Sequence, residues 1–246
     1  MERKTIVGVG AHMDDLWYGM GGLALKAVRK GHRVIFINTV GDYTNWPVTR
    51  GRESEIKAKV KGFAIDKGIT IHFLDYKYEH VPDDIDILKK LAEHFDEINP
   101  DLIFLHWYDD TNRDHWKSGV ATLYSGLHRP CFLEREPSGS PSEVYAFQLD
   151  AQCRSFIPNV YVDITETLPD VLEVLAAIDH IYAEYTKADC VKARVEDLIT
   201  NRKFELTVHS AQKYALAVTR GSECGVTYAE AFYSYIKRPA DQMLYI

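Results

Sequence analysis

The chain has 246 residues, of which 46% are hydrophobic and 26% charged, with a formal net charge of −7. That length buries a sizeable core without staples and is read as one domain over residues 1–246, while the negative charge excludes a nucleic-acid binder relying on a cationic surface. No apolar run approaches the ~20 residues that span a bilayer. Four scattered cysteines (Cys131, Cys153, Cys190 and Cys224), with no CxxC pair and no secretory signal, read as reduced and mostly buried thiols of a cytoplasmic protein.

In chain order, "KTIVGVG" is a short apolar run ended by turn residues, as for a strand buried on both faces. "GGLALKAVRKG" follows with helical periodicity and stops at Gly31, and "HRVIFINTV" is the next strand. "RGRESEIKAKVKGFAIDKG" is an amphipathic helix closed by glycine, and "ITIHFLDY" a third strand. "PDDIDILKKLAEHFDEI" opens with proline and acids, as helices do, and "PDLIFLHWY" is a fourth strand. Strand–helix alternation of this kind predicts right-handed crossovers and an α/β fold: a doubly wound, mainly parallel sheet between two helical layers. Past residue 130 the spacing changes. "EPSGSPSE" is a loop, "VYAFQL" and "NVYVDI" are strands, two long helical stretches fill about 165 to 219, and "GVTYAEAFYSYI" suits a final strand.

Ligands of doubly wound sheets bind at the carboxyl ends of the strands. Just past strand one lie His12, Asp14 and Asp15, and past strand four "HWYDDTNRDHWKSG" adds His106, Asp109, Asp110, Asn112, Asp114 and His115. Two His/Asp clusters at equivalent strand ends can converge. A His/His/carboxylate set with one open position describes catalytic zinc, and a neighbouring carboxylate that does not ligate can take a proton from water. A dinucleotide turn fits poorly. Gly8 and Gly10 are present, but Met13 stands at the third position, and two carboxylates face where a phosphate would sit.

"AHMDD" before a glycine-rich helix start, "RGRESEIKAKVKGFAI", "DTNRDH" after a later strand and "GVTYAEAF" near the C-terminus occur in the order seen in the LmbE/PIG-L family of zinc-dependent de-N-acetylases, which the chain resembles over most of its length. The resemblance implies a Rossmann-like, LmbE-like three-layer fold. It makes His12, Asp15 and His115 the ligands of Zn2+ or another divalent metal, Asp14 the general base and Arg50 a substrate contact. The implied partner is a small N-acylated amino sugar or conjugate, and the implied reaction is removal of its acyl group, most simply acetyl. A homo-oligomer is compatible with the sequence.

Three positions depart from the family pattern. Met13 replaces a proline, Leu16 an acid, and Asn112 the first histidine of H-x-D-H. An asparagine amide can donate to an oxyanion, which keeps Asn112 as a catalytic candidate, but it cannot act as an acid. Asp14 alone, or His106, Tyr108 or Asp110, would then move the second proton. The alternative is a metal- or sugar-binding protein on the same fold without hydrolysis. Asp114 is expected to cap a helix or orient a ligand histidine. His32, His72, His94, His128, His180 and His209 are expected to be surface or packing residues, and the aromatics of "DYTNWP" with Trp107 and Tyr108 to wall a sugar pocket.

Overall fold

The computed structural model describes residues 2–49, 51–139, 142–149, 153–186, 191–197 and 202–235. Arg50 and Cys190 lie outside them. The described elements are β1 (Thr5–Gly10), α1 (Asp15–Arg29), β2 (Arg33–Asp42), α2 (Glu53–Asp66), β3 (Thr70–Lys77), α3 (Ile85–Ile98), β4 (Leu102–His106), α4 (Arg113–Leu127), α5 (Arg129–Leu133), β5 (Glu143–Phe147), β6 (Val160–Asp163), α6 (Leu168–Thr186), β7 (Ala193–Asp197), β8 (Arg202–Leu206), α7 (Val208–Cys224) and β9 (Ala229–Ser234).

The strands β1, β2 and β4 are apolar on both faces and almost wholly buried, the pattern that favours a parallel sheet covered by helices. They form the centre of a seven-stranded sheet ordered β3-β2-β1-β4-β5-β9-β6. The first five are parallel, and β9 runs antiparallel to both β5 and β6. The order reverses between β1 and β4, so the crevice of a doubly wound sheet opens beyond their carboxyl ends. Helices α1, α6 and α7 pack on one another, and α3, α4 and α5 form a second group. The mainly parallel, helix-flanked architecture expected from the alternation is present.

Two glycines bring the helices close to the strand ends. A Cβ on Gly10 would lie 2.9 Å from Leu16 Cγ, and one on Gly119 would lie 2.5 Å from the carbonyl oxygen of His106. Both distances are shorter than packing allows, so α1 sits tightly on β1 and α4 on β4 only because these positions lack side chains.

Three expectations change. Helix α1 begins at Asp15 rather than at Gly21 and is kinked at Met20. Glu230 of β9 accepts the freed N–H groups of Gly22 (2.8 Å) and Leu23 (2.7 Å). Lys213 of α7 bonds both Glu230 (2.6 Å) and the Tyr18 carbonyl (2.6 Å), so the buried pair closes the break. Second, the C-terminal helical stretch is interrupted by the β7–β8 hairpin. Its side chains are mostly exposed, and only Val195, Phe204 and Leu206 join a small core with α6 and α7. Third, among the described residues Cys131 and Cys224 are exposed and Cys153 is partly covered, against the expectation of buried thiols.

Candidate active site

Two strand-to-helix junctions build the site. After β1 the chain turns through His12 and Met13 and enters α1 with Asp14 at the N-cap and Asp15 in the first turn. After β4 it enters α4 with Asn112 at the N-cap and His115 in the first turn. Both junctions lie at the switch of strand order, so their side chains meet.

His12, Asp15 and His115 are buried, and their ligand-type atoms lie within 4.8 Å of one another. His12 Nδ1 is 3.1 Å from His115 Nε2, and Asp15 Oδ1 is 3.3 Å from His115 Nε2. Each histidine has a carboxylate behind it. Asp114 Oδ2 lies 3.3 Å from His12 Nε2, and Asp110 Oδ2 lies 3.1 Å from His115 Nδ1. Those partners assign the ring protons to His12 Nε2 and His115 Nδ1, which leaves the lone pairs of His12 Nδ1 and His115 Nε2 facing each other. Two lone pairs at that separation repel unless a cation, a proton or a metal ion, stands with them. The donor set therefore fits a metal ion of the zinc type, with carboxylates orienting both histidines.

Asp15 is prepared in the same way. Its Oδ2 accepts the N–H groups of Ala11 (2.9 Å) and His12 (2.6 Å) and faces His106 Nε2 at 3.0 Å, while Oδ1 faces His115 Nε2 at 3.3 Å. His106 lies fully buried with its ring stacked on His115, centroids 4.4 Å apart. Burial, and then the neighbouring His115, lowers its pKa, and its Nε2 lies 3.0 Å from both the Ala11 N–H and Asp15 Oδ2. A second group, His106, Asp110 and His115, also meets the distance test for a metal. There, however, His106 and Asp110 are already spent on Asp15 and His115.

The charge balance follows from this crowding. Burial opposes the cations of His12 and His115, but facing Asp15, with Asp114 on one ring and Asp110 on the other, outweighs it and raises them to about 9 and about 10. Burial also opposes the Asp15 anion, yet His115, His106 and His12 hold it well below the ordinary carboxylate range. Asp14 moves the other way. Burial raises its pKa, assisted by Asp15 and opposed by His209. Although Asp14 caps α1, its side chain makes no capping bond, so its carboxylate is not spent on the helix.

Asp14 shares a cavity of about 190 Å³ with the three ligand-type residues, Asn112 and His209, walled by Tyr18, Tyr43, Trp46, Tyr78, Leu149 and Tyr182. Trp46 stacks on Tyr78 with centroids 5.2 Å apart and meets Tyr182 edge-on. Of the aromatics expected to wall a pocket, Tyr43 and Trp46 do so. Trp107 instead packs against Phe156 and Tyr233, and Tyr108 is half exposed.

Asn112 lines the cavity, but its Oδ1 is the N-cap of α4 and accepts from Asp114 N (2.9 Å) and His115 N (3.3 Å). Asp114 is thus no cap; its carboxylate orients His12 and accepts from Glu79 N and Val81 N. His209, expected to be an ordinary surface or packing histidine, faces the site with Nε2 3.4 Å from Asp14 Oδ2. No motif marks it. Only the return of α7 across α1 brings it there, and the neighbouring acid Asp179 on α6 is equally unmarked in the sequence.

Residues 7–124 match the family model described as PIG-L: GlcNAc-PI de-N-acetylase. In fold the chain is similar to the 4-carboxy-2-hydroxymuconate hydratase GalB from Pseudomonas putida KT2440, with TM-score 0.69 and 18% identity over 98% of this chain and 100% of that one. It is similar to the N,N'-diacetylchitobiose deacetylase from Pyrococcus horikoshii, with TM-score 0.72 and 20% identity over 98% and 90%. The conserved protein TT1542 from Thermus thermophilus gives TM-score 0.74 and 17% identity over 99% and 97%.

Proposed function

We propose, from the match of residues 7–124 to the PIG-L family model, that the chain is a metal-dependent hydrolase that removes an N-acyl group, most simply acetyl, from an amino sugar or sugar-derived amide. The observation that supports this reading is the pairing of a convergent His12/Asp15/His115 donor set with a carboxylate, Asp14, that no helix bond consumes. The diacetylchitobiose deacetylase on the same fold supports the substrate class.

His12, Asp15 and His115 would hold the metal, zinc being the ion their chemistry suits. Such an ion lowers the pKa of a water toward ~7 and polarises the amide oxygen. Asp14 is the general base that takes the proton of the attacking water. Its carboxylate lies in the cavity beside the donor set, and burial raises its pKa, which makes it a stronger base than an exposed carboxylate. Asn112, its oxygen fixed by α4, donates its Nδ2–H to the carbonyl oxygen as charge gathers there. Trp46 and Tyr78 offer a flat apolar face to the ring of the substrate, and Arg50 is proposed to contact the sugar. The whole chain, 1–246, acts as one domain in this reading, with a small molecule as partner. No helix among the described residues is long and apolar enough to cross a membrane.

The test is acetate release by the zinc-loaded chain from N-acetylated amino sugars, thiol conjugates and antibiotic amines, with Asp14→Ala as the blank. Turnover of at least one N-acetyl compound by the wild type and none by the variant is the expected result. Hydration of 4-carboxy-2-hydroxymuconate without acetate release would move the chain to the chemistry of the GalB neighbour instead.

A further inference from the structure

We propose that His209, held by Asp179, delivers the proton that the leaving amine requires. The inference rests on the deacylase reading above and supplies the task that Asn112 cannot perform, since a carboxamide carries no transferable proton at neutral pH.

The geometry is that of an oriented acid. His209 stands in the first turn of α7, where a capping box between Thr207 and Ser210 fixes the backbone. Both its backbone N–H (2.9 Å, to Oδ2) and its ring Nδ1 (to Oδ1) engage the Asp179 carboxylate on α6. One acid thus sets both the position of the residue and the orientation of the ring, which assigns a proton to Nδ1 and turns Nε2 to the cavity. There it lies 3.4 Å from Asp14 Oδ2, and His209 lines the same cavity as the metal-ligand set. The charged groups bearing on the ring are Asp179 from α6 and Asp14 and Asp15 from the β1–α1 junction, all carboxylates. Burial opposes the imidazolium, but these acids raise it to about 9, so it holds its proton at neutral pH.

The step balances within the chain. As the water oxygen bonds to the acyl carbon, Asp14 takes one water proton. The Nε2–H of His209 then passes to the amide nitrogen as the C–N bond breaks, and the bonding pair stays on nitrogen. Asp14 returns its proton to His209 across their contact. One water and one amide are consumed, one amine and one carboxylic acid leave, and both side chains are restored.

An amine leaving group needs this proton, whereas a nitrophenolate does not. The zinc-loaded chain is therefore assayed on N,N'-diacetylchitobiose and on 4-nitrophenyl acetate, with His209→Gln against wild type. General acid catalysis is worth ~10²–10⁴-fold, so the variant is expected to lose that much kcat on the amide and at least tenfold less on the ester. Equal losses on both probes, or no loss on the amide, would overturn the role of His209 and leave the deacylase reading standing. No acetate from either probe with the wild type would overturn that reading, and this inference with it.

A readout independent of turnover is the NMR titration of the His209 ring in the metal-free chain. Its midpoint is expected near 9 in the wild type and lower in Asp179→Asn. A wild-type midpoint at the ordinary histidine value of ~6.5 would overturn the assignment.

Discussion

The β1–α1 and β4–α4 junctions are alike in topology and opposite in how they use the residue that caps the helix. Each leaves a buried parallel strand and starts a helix within a few residues, and each brings side chains of metal-ligand type to the same crevice. At the first, Asp14 caps α1 with its backbone alone and keeps its carboxylate in the cavity. At the second, Asn112 gives its side-chain oxygen to the N–H groups of Asp114 and His115, which sets the start of α4 and with it the His115 ring. The same position in two copies of one motif thus leaves a carboxylate free of the helix in one case and ties an amide oxygen to the helix in the other. A cap is a side-chain function only when the side chain makes the bond.

Breaking the first junction has the largest expected effect. Asp14→Asn removes the base while keeping the shape, and kcat for acetate release should fall by ~10²–10⁴-fold with the melting temperature nearly unchanged. A variant within tenfold of wild type would remove Asp14 from the reaction.

The support behind the first junction comes next. Glu230→Ala leaves Lys213 buried without its carboxylate and frees the N–H groups of Gly22 and Leu23 at the α1 kink. Breaking a buried pair from one side costs ~3–5 kcal/mol, measurable by urea denaturation, and Lys213→Met added to it should recover part of the loss.

The second junction can be dissected at position 112. Asn112→Ser keeps a capping oxygen, so stability should hold, while loss of the amide donor lowers kcat by ~10²-fold. Asn112→Ala should show the same loss of rate together with ~1 kcal/mol of lost stability. If both variants keep wild-type kcat, Asn112 is a clamp and nothing else.

The smallest effects are expected behind the ligand histidines. Asp110→Asn and Asp114→Asn each weaken the orientation of one ring and should reduce zinc affinity by ~10–100-fold, read by competition with a chromophoric chelator. Of the two, Asp114→Asn should also loosen the Glu79–Val81 turn, which donates to the same carboxylate.

The contrast between the junctions also explains what the sequence made legible. Strands β1, β2 and β4 are buried on both faces and read directly as apolar runs, and two His/Asp clusters at their ends are close in sequence to the elements that present them. The convergence of the two clusters was therefore legible from local patterns plus one rule about strand ends, while the choice of His12, Asp15 and His115 within them came from the family resemblance. His209 and Asp179 were not legible. They lie on different helices, within segments of ordinary helical character, and gain meaning only when α6 and α7 pack beside the β1–α1 junction. The β7–β8 hairpin escaped for a related reason. Its strands are largely solvent-exposed, so apolar alternation, the usual mark of a half-buried strand, is weak in "ARVED" and "RKFEL". The kink at Met20 sits among Gly19, Gly21 and Gly22, which weaken the helix locally, but Glu230, which accepts the freed N–H groups, lies far along the chain.

The most direct measurement is acetate release from N-acetylated amino sugars by one preparation of the chain, assayed as purified, after removal of metal by chelation, and after return of one equivalent of zinc. Activity that disappears on chelation, returns with zinc and is at least ~10²-fold lower in zinc-loaded Asp14→Asn is the expected result. Acetate release that survives both chelation and the loss of Asp14 would contradict a metal-assisted hydrolysis built on His12, Asp15 and His115.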